Sequence, residues 1–163
     1  MKEDIKRDIV IETDSINFIV PISTNLEDTL TIAELQNKVD LNQQVEDNTD
    51  QFTLADLRSA YITKFVIKLD DPDTNGNDLS AFSSMRVQMK AAAKPLIQLG
   101  ATNNISTQNL NTLNVTITAA TQQLQEYLNA DSLTYVITGV ARDSTTKVIQ
   151  AKAVAGYKLT LGM

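Results

Sequence analysis

The chain has 163 residues, 42% of them hydrophobic, a formal charge of -6 and a pI near 4.6. It holds no Cys, His or Trp, which excludes disulfides, thiolate nucleophiles, Cys- or His-ligated metals and the usual general base at neutral pH. The acidic balance, with basic residues spread singly or as the pair Lys6-Arg7, argues against nucleic-acid phosphates and against a polybasic membrane contact.

No run approaches the length of a membrane span, so no transmembrane segment is expected. Residues 1–163 fit a single domain able to bury roughly 70% of its extended surface. The start, Met1 to Asp8, has basic residues but no apolar run behind them, so no signal peptide is visible. Either the chain is cytoplasmic, or it is the trimmed product of a secreted or lipidated precursor. Low charge (21%) with abundant Thr, Asn and Gln favours the extracytoplasmic alternative, periplasmic or cell-surface.

In chain order, Ile9-Val10-Ile11 and Ile16 to Ile22 predict one bulged strand or two, with Pro21 at a strand end because it cannot donate to a ladder. Thr31 is placed to cap a helix over Ile32–Lys38, with Glu34 in the capping-box position. Residues 39–50 are polar without a repeating face, and predict the least protected loop of the chain over Leu41–Asp50. Thr53 repeats the capping pattern for Leu54–Arg58, with Asp56 three residues on. Tyr61–Leu69 alternates as a strand, Tyr61, Thr63, Phe65, Ile67 and Leu69 on one face and Ile62, Lys64, Val66 and Lys68 on the other.

After an acidic turn, Leu79–Ser83 predicts a helical plug at one end of the core, and Met85, Val87 and Met89 the inward face of a strand. A strand over Leu96–Leu99 with a polar tip at 101–104 follows, then one with Leu113, Val115, Ile117 and Ala119 inward. Thr121–Leu128 predicts a third short helix in which Leu124 and Leu128 pack together. The last two runs, Leu133–Ala141 and Ile149–Leu161, are the strongest strands and suggest a long antiparallel hairpin. In the second, Ile149, Ala151, Ala153, Ala155, Tyr157, Leu159 and Leu161 face inward while Gln150, Lys152, Val154, Gly156, Lys158 and Thr160 face out. Seven or eight strands with short helical plugs give an all-β antiparallel sandwich, Ig-like or Greek-key.

The series "SAYITKFVIKL", "DLSAFSSMRVQM", "LNTLNVTITA", "TQQLQEYLNADSLTYVITGV" and "KAVAGYKLTL" resembles small β-sandwich proteins known mainly as mature parts of predicted envelope lipoproteins of Bacteroidota. The likeness spans roughly Ile9 to Leu161 and is a rhythm of strands and plugs, without a chemical motif. It implies a non-catalytic structural or accessory protein of the cell envelope, with an envelope protein or a glycan as partner and membrane attachment only through a lipidated Cys lost from the N-terminus. No catalytic residues carry over.

One local motif has chemical content. Asp71, Asp73 and Asn75, ahead of Gly76, resemble the opening of a calcium loop, D-x-D-x-N-G. Phe82 stands where the bidentate Glu of such a loop belongs, so a site here would be weak; the same residues fit an acidic Asx-rich turn, and that outcome is expected. Four carboxylates, Asp70, Asp71, Asp73 and Asp78, are then expected to splay into water. Carboxylate pairs such as Glu126 with Asp131, or Asp40 with Glu46, lie in polar stretches that need only solvation, and no enzyme is expected. A carbohydrate-binding module is the alternative function, with Tyr127 at a rim beside Asn129 and Asp131 as its sugar platform. Outward Asn114, Thr116 and Thr118 would suit a partner strand if they lie at an edge.

Overall fold

The computed structural model describes residues 5–24, 26–71, 76–108, 110–130 and 133–162. Nine strands are β1 (Lys6–Glu12), β2 (Ile16–Val20), β3 (Thr29–Asn37), β4 (Leu57–Leu69), β5 (Phe82–Ala91), β6 (Ile97–Asn103), β7 (Thr112–Asn114), β8 (Leu133–Ala141) and β9 (Ile149–Gly162). They form two antiparallel sheets: β1-β9-β4-β7, with β2 also on β9, and β3-β8-β5-β6. The expected sandwich is therefore present.

Its pairing is nested. β1 and β2 pair with β9, β3 with β8, β4 with β7 and β5 with β6. The chain thus runs like one long folded hairpin whose successive strand pairs alternate between the sheets. Additional pairs, β4 with β9 and β5 with β8, join the halves of each sheet. This is the Greek-key arrangement in its double form, a jelly roll.

β8 and β9 do not form the expected hairpin. Residues 142–148 carry the chain from one sheet to the other, tied down by Arg142 N–H to the Ala81 carbonyl (2.8 Å) and Thr145 N–H to that of Ser23 (3.1 Å). The physical reason is that earlier strands occupy both edges of each: β1 and β2 on one side and β4 on the other leave β9 no edge for β8, as β3 and β5 leave β8 none for β9. The two strands meet face to face instead. All seven inward residues of β9 named from the sequence are at most 1% exposed, so the register of that strand is as expected. Tyr157 reaches across the sandwich, its hydroxyl hydrogen-bonded to that of Tyr135 on β8, while Phe65 stands edge-on to Tyr135 with ring centroids 5.4 Å apart.

Bulges account for two further corrections. The helix expected at Ile32–Lys38 is strand β3, whose register slips between Thr31 and Ala33. The extra residue puts Ile32 and Leu35 on the same buried face, three apart, which imitates helical spacing. In β4 the slip between Ile62 and Lys64 exchanges faces: Leu57, Ala60 and Ile62 are inward before it, Phe65, Ile67 and Leu69 after it. Tyr61 and Thr63 therefore do not share the face of Phe65.

Residues 41–48 are not an irregular loop but helix α1 (Leu41–Asn48). Asp40 caps it by accepting the Gln43 N–H at 3.0 Å, and Leu41 and Val45, four apart, sink into the core. A single apolar pair was too sparse a signal against six polar neighbours. Thr53 and Asp56 do bond as a cap, the Asp56 carboxylate accepting the Thr53 N–H at 2.9 Å, but they hold one 3-10 turn before β4 begins at Leu57. The helix expected over Thr121–Leu128 shortens to α2 (Gln125–Leu128). The plug at Leu79–Ala81 is present and buried, as is the inward face Met85, Val87 and Met89.

The strand expected over Leu113–Ala119 follows β4 only as far as Val115, whose N–H donates to the Phe65 carbonyl at 2.9 Å; its continuation crosses to the other sheet, where Ile117 bridges Gly100 on β6. Gly100 is needed there, because a Cβ would stand 2.5 Å from the Thr116 carbonyl oxygen. This crossing closes one side of the sandwich. Thr116 and Thr118 therefore use main-chain groups on β6, accepting from Ala101 and donating to Leu99, while only Asn114 lies on the short edge strand β7.

Candidate functional site

Of the calcium-loop residues, Asp73 and Asn75 lie outside the described residues. Asp71 turns back towards β9, its Oδ1 accepting the Gln150 N–H at 3.1 Å. Asp70 forms an ion pair with Lys152 at 3.3 Å. Asp78 does not splay into water: it is fully buried, and its Oδ1 accepts the N–H groups of Ser80 (2.7 Å) and Leu110 (3.4 Å). Asn77 beside it exchanges hydrogen bonds with Thr146. The described ends of this segment are thus anchored to the body of the sandwich. Among the described residues no three His, Cys, Asp or Glu side chains converge as a metal site.

Tyr127 is buried, and its hydroxyl donates to the Pro95 carbonyl at 2.6 Å, so its ring face is not presented as a sugar platform. Leu124 and Leu128, fully packed on either side of it in sequence, draw it inward. Asn129 is exposed and lines a shallow cleft with Leu54 and Leu128; Asp131 lies outside the described residues. Among the carboxylates weighed for catalysis, Glu126 pairs with Lys94 at 2.7 Å, which holds its carboxyl below the usual range through that hydrogen bond and charge, and Asp40 is the cap of α1. The strongest titration shifts are internal. Burial pushes the Tyr135 phenol up to about 12 against the hydrogen bond from Tyr157, and burial pushes Tyr157 well above its ordinary value, helped by Tyr135 beside it.

The arrangement that could recognise something lies on the outer face of the β9 sheet. A trough of about 610 Å³ is lined by Glu12, Ser15, Lys64, Val66, Lys68, Leu69, Asp70, Lys152 and Val154. Strand register builds it. Val66 sits opposite Val154 and forms an apolar floor; Lys68 sits directly opposite Lys152; Lys64 sits opposite Gly156. On the far side of β9, Glu12 is also opposite Gly156. The Lys64 side chain therefore crosses β9 above Gly156 to reach the Glu12 carboxylate on β1. A Cβ on residue 156 would stand 2.8 Å from Lys64 Cγ, so glycine opens the channel in which that stem lies. The gap between β1 and β2, at residues 13–15, leaves the trough open beside Val154.

The charges divide along its length. Lys64 and Lys152 each have a carboxylate partner, Glu12 and Asp70, whereas Lys68 has no ion pair among the described residues. Placing Lys68 opposite Lys152 is unfavourable for a sheet, since like charges across strands repel. Both outward series were readable in the sequence. What was missing was that β4 is the neighbour of β9. Compared with known proteins, the chain matches no family model, no curated protein and no solved structure.

Proposed function

We propose that this chain is a non-catalytic structural or accessory protein of the cell envelope that acts by binding through the outer face of the β9 sheet. The observation that carries this reading is the division of labour in that sheet. Its inner face is consumed by the core, with residues of β9 at 0–1% exposure, so a ligand must be met outside; its outer face gathers three lysines and two carboxylates around two valines. Cationic and carboxylate groups held open to water, in pairs rather than in a closed cleft, suit recognition better than proton transfer. No helix of the described residues is long and apolar enough to cross a membrane, and the resemblance of the strand rhythm to envelope sandwich proteins is what supports the proposed compartment.

The second reading, a carbohydrate-binding module, is favoured by the trough's mixed lining, although not at Tyr127. Cell fractionation of the source organism tests the compartment. The expected result is recovery with envelope or periplasmic material, and exclusive recovery with the cytoplasm would overturn it.

A further inference from the structure

We propose that the trough over β9 and β4 binds an acidic sugar, a short stretch of a glycan whose rings carry carboxylates; this deepens, and rests on, the binding reading above. Three features of the lining converge on that ligand class. The first is charge. Lys68 and Lys152 face each other across two strands about 5 Å apart. A carboxylate between their ammonium groups would replace repulsion with two charge-assisted hydrogen bonds, in a chain whose overall charge is -6.

The second feature is that the cations are not alone. Glu12 and Asp70 stand at the two ends of the trough, and Ser15 at its side. Ionised carboxylates only accept hydrogen bonds and ammonium groups only donate them. A ligand that satisfies both must offer acceptors carrying negative charge together with hydroxyl donors, which a uronic acid does on every ring. A polyphosphate or a wholly acidic peptide would meet repulsion at Glu12 and Asp70 without compensation.

The third feature is the floor. Val66 and Val154 are half-buried and side by side, giving an apolar patch between the polar ends for the C–H face of a sugar ring. The lining extends along β4 from Lys64 to beyond Lys68, four residues or about 13 Å of strand, which suits a short oligosaccharide rather than a single ring. Over the trough the main-chain groups of β4 at Val66–Lys68 are taken by β7 and β9, and those of Ala155 in the gap between β1 and β2 by Thr13, so recognition here must come from side chains, which disfavours the addition of a peptide strand.

Calorimetric titration of the intact chain with tri-galacturonate tests the proposal, with maltotriose as the neutral sugar and hexaglutamate as the acidic peptide. Saturable binding of tri-galacturonate alone is expected, weakened at least about tenfold by Lys68→Gln, as loss of a charge-assisted hydrogen bond implies. Lys90→Gln, which makes the same change of net charge on the opposite sheet beside Glu34, should leave it unchanged. Equal melting temperatures of the variants and the parent chain confirm that folding is not being read. No saturable binding of tri-galacturonate overturns the acidic-sugar assignment, as does equal weakening by Lys90→Gln. Lys68-dependent binding of maltotriose or hexaglutamate instead overturns the ligand class while leaving the binding reading intact.

Discussion

The two faces of β9 are one strand under two different demands. Inward, the small side chains of Ala151, Ala153 and Ala155 give way to the large ones of Tyr157, Leu159 and Leu161, all at 0–1% exposure. Outward, the strand carries Lys152 opposite another lysine, a half-buried valine, and a glycine over which a neighbour's side chain is laid. The inner choices each favour the fold. The outer choices do not: a like-charged cross-strand pair and a strand-interior glycine both weaken a sheet. Departures of that kind, confined to one face, indicate selection for something other than stability.

The largest test of this contrast is on the inner face. Tyr157→Ala should cost about 3–5 kcal/mol in chemical denaturation, because the ring is fully buried and the cavity is lined by a rigid sheet. A cost under about 1 kcal/mol would mean the core is not organised around this ring. Tyr157→Phe is gentler, at about 1–3 kcal/mol, since it leaves the Tyr135 hydroxyl without its partner. Adding Tyr135→Phe should restore part of the loss, and strict additivity in that double-mutant cycle would deny the hydrogen bond any role.

The same pair gives a pH dependence. Both phenols are raised by burial above their ordinary value of 10, Tyr135 to about 12. The unfolded chain then releases these protons at lower pH than the folded one, so the unfolded state binds fewer protons and stability falls with rising pH. Tyr135's contribution is complete below about pH 10 and is lost as pH climbs through its folded value of about 12, with Tyr157 acting in the same direction. Melting temperatures across that window should fall in the parent chain and fall less in the Tyr135→Phe, Tyr157→Phe variant; identical profiles would place the alkaline transition elsewhere.

The inner face was almost wholly legible in the sequence. Strict alternation over 13 residues from Ile149 fixed which side chains of β9 point inward, and no bulge disturbed it. Where alternation failed, so did the reading. Bulges at Thr31/Ala33 and Ile62/Lys64 made β3 resemble a helix and exchanged the faces of β4. α1 was missed because its contact with the core rests on Leu41 and Val45 alone. The candidate site was hidden for another reason. Lys64, Val66 and Lys68 share a face, as do Lys152 and Val154, but they become one site only when β4 lies beside β9. Nearness in sequence suggested β8 for that place, and alternation within a strand says nothing of which strand is its neighbour.

Gly156→Ala probes the border between the two demands. Its Cβ meets Lys64 Cγ, near the base of that side chain, at 2.8 Å and Thr63 Oγ1 at 3.1 Å, so the Lys64 side chain must leave its rotamer, at a cost of about 0.5–1.5 kcal/mol. The Lys64–Glu12 contact should be lost with it, visible as altered side-chain signals of both residues; unchanged signals would show that Lys64 does not lie across β9.

The smallest expected change in stability is the most direct test of the central claim, that the outer face of β9 is built for recognition. Lys68→Gln removes the lysine of the trough that has no ion pair among the described residues and relieves its repulsion with Lys152. Measured by chemical denaturation at low salt, the variant should be as stable as the parent chain or more stable by about 0.2–1 kcal/mol, the worth of a cross-strand pair. A loss of more than about 1 kcal/mol would show that Lys68 serves the fold, and would contradict the account.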